Sequence, residues 1–149
     1  MAKSTELPEF RDKRKVLFGE KSTPEQLLAM GRRFAEAERF DDALEFFART
    51  EAEKDVRRIA GKAIERGDTA LLLRAKVVLG EQATAEELAD VARAAERADK
   101  LSMAYMAHVK AGNQAEAQRL RAELPTEQSP EENAAASPPP EDEERPDPV

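Results

Sequence analysis

The chain has 149 residues, a formal net charge of −7 and a mean hydropathy of −0.70. That length is ordinary for one domain, and a 40% hydrophobic content supplies one modest core. The absence of cysteine excludes a disulfide framework, a thiolate zinc site and a cysteine nucleophile.

Residues 1–22 read as an N-terminal arm, with Phe10, Phe18 and the basic cluster Arg11, Lys13, Arg14 and Lys15. Thr23-Pro24-Glu25-Gln26 then predicts a helix start: Thr23 as N-cap, Pro24 at the first turn and Gln26 completing a capping box. Leu27, Met30 and Phe34 follow on one face, and the helix is expected to run to about Glu38. Asp41-Asp42 suits the start of a second helix with Ala43, Phe46 and Phe47 inward. A third is expected over 53–66, with Val56, Ile59, Ala60 and Ala63 inward, before the Gly67-Asp68 break. The fourth, over 69–79, is apolar round much of its circumference and is expected to be the most buried. Thr84-Ala85-Glu86-Glu87 is a second capping box and opens a fifth helix. Leu101, Tyr105, His108 and Val109 line a sixth, Gly112-Asn113 ends it, and Ala117, Leu120 and Leu124 mark a short seventh.

Pro125 ends the helical pattern. The tail 125–149 holds six further prolines and eight acids against the single Arg145. It lacks the apolar surface needed to offset chain entropy and is expected to be disordered. Residues 1–124 hold 23 bases and 23 acids, so the net charge belongs to the tail. A balanced body speaks against general nucleic-acid binding, which needs a concentrated basic surface.

Glu38-Arg39-Phe40-Asp41, Glu65-Arg66-Gly67-Asp68 and Glu96-Arg97-Ala98-Asp99 share the frame Glu-Arg-x-Asp at three predicted helix-to-helix turns. Two helices fit between successive copies, the pattern of stacked helix pairs that bury one another's apolar seams. Over 27–50 the chain resembles the tetratricopeptide repeat: Leu27 stands at its large apolar position, Met30-Gly31 at its Leu-Gly, Phe34 at its Tyr, and Ala43 and Phe47 at its second-helix Ala and Phe. Gly61 and Ile64 fit the same scheme in the second pair, and the third is only loosely similar. The resemblance implies an all-α fold of about seven helices over 23–124, stacked as antiparallel pairs in a short α-solenoid. It also implies that the first helices of the pairs line a concave groove. Arg32, Arg33, Arg57, Arg58, Lys62, Arg93 and Arg97 recur on those helices and suit an acidic peptide. The carboxylate clamp of chaperone-binding members is not reproduced, because Leu28 and Arg32 occupy its Lys and Asn places.

No catalytic residue, cofactor site or metal site is expected. The single histidine, His108, has no neighbouring ligands at metal-site spacing and reads as a packed, partly buried residue. The acids lie beside Lys and Arg at helical spacing, as on solvated faces. No Gly-rich phosphate loop, Gly-x-Ser-x-Gly or His-Glu-x-x-His occurs. The expected function is therefore a non-catalytic adaptor or scaffold, taking an unidentified protein or acidic peptide at Arg11, Lys13, Arg14, Lys15, Arg32, Arg33, Arg58, Lys62 and Arg93. The alternative is a small RNA- or DNA-associated protein using the basic arm. Met1–Glu6 has no secretory apolar core and no stretch has membrane-span length, so a bacterial cytoplasmic setting is expected.

Overall fold

A computed structural model describes residue 7, residues 10–19 and residues 22–125. Among them lie eight helices and no strand: α1 (Phe10–Phe18), α2 (Pro24–Glu36), α3 (Phe40–Phe47), α4 (Glu53–Arg66), α5 (Thr69–Leu79), α6 (Ala85–Arg97), α7 (Leu101–Ala111) and α8 (Gln114–Glu123). The acidic tail from residue 126 onward lies outside the described residues. The helix beyond the expected seven is α1, inside the segment read as an arm. Its sequence is too short and charged to announce a helix by itself. It is held from outside by Leu17, which is buried in the main core, and by Lys13, whose Nζ lies 2.9 Å from Glu45 and also bonds Asp42.

Local chemistry sets the helix starts. Thr23 and Thr84 accept the backbone N–H of Gln26 and Glu87, and those two side chains accept the Thr N–H in return. Asp68 accepts Leu71 N–H at 3.0 Å. The α2–α3, α4–α5 and α6–α7 turns share one construction. A left-handed residue (Glu38 at φ 59°, Gly67 at 66°, Asp99 at 57°) is followed by an N–H that bonds back across the helix end. These bonds are Arg39 to Phe34 O, Asp68 to Ala63 O and Lys100 to Ala95 O, at 2.9, 2.8 and 2.8 Å.

The repeat register therefore follows Glu38, Gly67 and Asp99, which are 29 and 32 residues apart, and not the Asp of the Glu-Arg-x-Asp frame. Asp41 lies inside α3. In this register Gly31 is matched by Ala60 and Ala92, all buried, rather than by the exposed Gly61. The same register places Lys76 and His108 where the first pair has Phe47.

Each short turn reverses the chain, so α2 packs on α3, α4 on α5, α6 on α7, and α8 on α7. Across pairs α3 meets α5, α5 meets α7, and α4 meets α6. Phe34 and Phe46 stack with centroids 5.3 Å apart in the main core. A smaller cluster of Ala95, Ala104 and Leu120 seats the last helices. The turn edge is stitched laterally: Arg66 bonds Glu38, Lys100 Nζ donates to Arg66 O at 2.8 Å, and Thr69 Oγ1 donates to Met103 O at 2.8 Å. α5 departs from its expected burial, because Val77 is 78% exposed. Although α5 meets α3, α4, α6 and α7, the face that carries Arg74 and Val77 is left to solvent. No described helix is long and apolar enough to cross a membrane.

Candidate functional site

α4 and α6 approach closely because their facing residues are small. A β-carbon on Gly67 would fall 2.4 Å from backbone atoms of Ala95, and Ala60, Ala63, Ala92 and Ala95 are all buried. α2 and α4 stand further apart. The bulky rings of Phe40 and Phe47 rise between them from α3, and with Ile59 and Ala35 they form the floor of an open cleft of about 420 Å³.

The cleft is bridged by ion pairs. Arg32 Nε and Nη2 donate to the two carboxylate oxygens of Asp55, each at 3.2 Å. Arg66 bonds Glu38 and sets its guanidinium 5.0 Å from the centroid of Phe40. Lys62 leans along its own helix to Glu65, at 3.1 Å. Arg58 is exposed on the rim and makes no ion pair among the described residues. Three bases, Arg32, Arg58 and Lys62, thus meet three acids, Glu36, Glu38 and Asp55, around an apolar floor.

The cleft gathers only part of the expected set. Arg32, Arg58 and Lys62 come together there. Arg33 is half-buried on α2 and does not line it. The continuous basic row along α2, α4 and α6 does not form. Arg57 turns aside, 2.8 Å from Glu53 with a second bond to Glu81, because adjacent helical residues point about 100° apart. Arg93 on α6 pairs with Asp90. The basic cluster of α1 is likewise divided. Lys13 is turned inward to 6% exposure, while Arg11, Arg14 and Lys15 stay exposed. Burial alone would lower the Lys13 pKa, yet the hydrogen bonds to Asp42 and Glu45 outweigh it and hold the ammonium above its ordinary value. Lys13 is therefore a tie between α1 and α3. Arg14 and Arg49 flank the exposed Phe18 ring, at 6.0 and 4.2 Å from its centroid.

Two polar clusters occupy the Phe47 register in the later pairs. Lys76, 5% exposed, lies 2.7 Å from Glu87 and 3.3 Å from Glu81. Burial alone would lower its pKa, but the bonds to Glu87 and Glu81 raise it. At the next copy His108 is partly buried and its Nε2 lies 3.1 Å from Glu96 Oε1. Glu116 completes a group whose ligand atoms lie within 4.8 Å of one another. Arg119 lies beside it, donating to Glu96 at 3.0 Å, Glu116 at 2.9 Å and Glu123 at 3.3 Å. The hydrogen bond from His108, helped by Arg119, outweighs burial and lowers the Glu96 carboxyl below its usual value. The sequence reading found no ligands at metal-site spacing around His108; the fold brings Glu96 and Glu116 to it from two other helices. The three residues lie on α6, α7 and α8, so no local spacing links them. Only position from the helix start links Glu116 to an earlier copy: it is the third residue of α8, as Glu87 is the third of α6.

Comparison with protein-family models, curated proteins and solved structures finds no match.

Proposed function

We propose that the chain is a non-catalytic protein-interaction module, a tetratricopeptide-like adaptor of the cytoplasm, that takes a segment of another protein between α2 and α4. The observation that carries this reading is the cleft itself. Phe40 and Ala35, partly exposed above the buried Phe47 and Ile59, offer apolar area to a side chain, and the exposed Arg58 offers charge-assisted bonds to a carboxylate at the rim. Such pairing of a central apolar anchor with a charged rim is the usual anatomy of a peptide-binding surface.

The test is affinity capture from source cells with the full chain, with Ala35→Trp, which fills the cleft, and with Arg58→Glu. Circular dichroism first establishes that all three are equally helical. A partner captured by the wild type and lost with both variants is the expected result. An identical set of captured proteins in all three samples, or none in any, overturns the reading.

A further inference from the structure

We propose that Glu96, His108 and Glu116 form a binding site for a divalent cation of the zinc class. The argument starts from the repeat. In the second pair the position equivalent to Phe47 holds Lys76, whose ammonium lies between Glu81 and Glu87. In the third pair His108 replaces the lysine, and Glu116 is the third residue of α8 as Glu87 is the third of α6, although the 32-residue register itself puts Arg119 at the place of Glu87. A carboxylate that faces a cation in one copy faces an imidazole in the next, and Glu96 adds a second carboxylate. One nitrogen and two oxygens from three helices thus converge where the preceding repeat holds a positive charge.

The donor set suits zinc. Zinc takes imidazole nitrogen and carboxylate oxygen at about 2.0–2.2 Å, with three protein ligands and water in the fourth position. Tetrahedral bonds of that length place ligand atoms roughly 3.3–3.6 Å apart. His108 Nε2 and Glu96 Oε1 are already 3.1 Å apart. Glu116 is half-exposed, at 50% of its side chain, and has room to turn the remaining distance. Without a metal, Nε2 carries the hydrogen that bonds Glu96; zinc takes the place of that hydrogen, and the remaining ring proton sits on Nδ1. Magnesium and calcium, which prefer all-oxygen shells, fit a nitrogen donor poorly.

Arg119 is the competitor. Its guanidinium bridges Glu96 and Glu116, so a bound cation must displace it. Glu123 lies 3.3 Å from its Nη1 on the same helix, and Arg119 keeps that ion pair when it releases the other two. Occupation would fasten α6, α7 and α8 together at the end of the stack.

The experiment is calorimetric titration of zinc chloride into the full chain, carried on a tag without histidine, with magnesium chloride as control. His108 is the only histidine, so its ring resonances report ligation without ambiguity. One zinc ion per chain with a shifted His108 ring, and no response to magnesium, is expected. His108→Gln and Glu116→Gln should each weaken binding at least about tenfold, and Arg119→Gln, which removes the competing charge, should tighten it by at least about fivefold. The wild-type ring measurement stands even if a variant fails to fold. An unmoved ring at about 0.1 mM zinc, or binding unchanged in His108→Gln, overturns the proposal.

Discussion

A β-carbon built on Gly31 of α2 would lie 2.6 Å from Cε1 of Phe47 in α3. Phe47 is 1% exposed and Phe46, the next nearest neighbour, is fully buried, so neither can yield without disturbing the core. Gly31→Ala is therefore expected to destabilise the chain by about 1–3 kcal/mol despite alanine's better helix propensity. Gly61→Ala is the control. Nothing lies within 4 Å of its β-carbon, so propensity alone acts and stability should rise by about 0.5–1 kcal/mol. Urea midpoints of the two variants should move in opposite directions, and a shift of the same sign would sink the argument.

The pair-forming turns make a second prediction of opposed signs. Asp99 carries a positive φ of 57° on an exposed turn. Glycine is free of the β-carbon clash there, so Asp99→Gly should stabilise by about 0.5–1 kcal/mol. Gly67→Ala meets both the φ penalty and the Ala95 backbone 2.4 Å away, and should destabilise by about 3 kcal/mol or more. Thermal melts distinguish the two at once.

Lys76 supplies a pH prediction. Burial alone would raise the Glu87 carboxyl, but hydrogen bonds from Lys76 and from the Thr84 backbone hold it below the usual range. Asp42 is lowered in the same manner, against its own burial, by Lys13 and Arg39. A carboxylate with a lowered folded-state pKa adds stability above its unfolded value and loses it as pH falls through the folded value. A raised lysine adds stability below its unfolded value and loses it as pH rises through the folded one. Stability should therefore be level from about pH 5.5 to about pH 9.5 and fall on either side. Lys76→Met should cost about 1–2 kcal/mol at neutral pH, because the partly buried Glu87 carboxylate loses its cation and keeps only the Thr84 N–H. Its deficit should shrink below about pH 4 as that carboxylate protonates. Urea midpoints across pH test this, and a deficit independent of pH would refute it.

Leu17 tests the attachment of α1. It is 5% exposed and joins the main core, whereas most of the α1 surface faces solvent. Leu17→Ala should cost about 2–3 kcal/mol, at the low end for a buried leucine because the site lies at the end of the stack. The loss should be local. Amide exchange is expected to accelerate in α1 and to keep its protection in α4 to α6. Uniform acceleration throughout the chain would show α1 to be integral to the core instead.

Local chemistry was sufficient for most helix ends. Thr23 and Thr84 capping boxes, Gly67, Gly80 and Gly112 as stops, and the periodic apolar faces are effects within a few residues, and the helices at 53–66 and 69–79 lie where the sequence places them. Helix α1 escaped because its support comes from Asp42, Glu45 and the core, all distant in the chain. The repeat frame was legible but misregistered. Aligning the Asp of Glu-Arg-x-Asp compares letters, while backbone geometry aligns the left-handed residues Glu38, Gly67 and Asp99. The bases on the first helices were visible in the sequence, yet which of them share a cleft was decided by packing. Small residues draw α4 against α6, aromatic rings hold α2 away from α4, and a 100° step between adjacent side chains sends Arg57 and Arg58 to different neighbours. The meeting of Glu96, His108 and Glu116 is of the same kind: three residues on three helices, made neighbours only by how those helices stack.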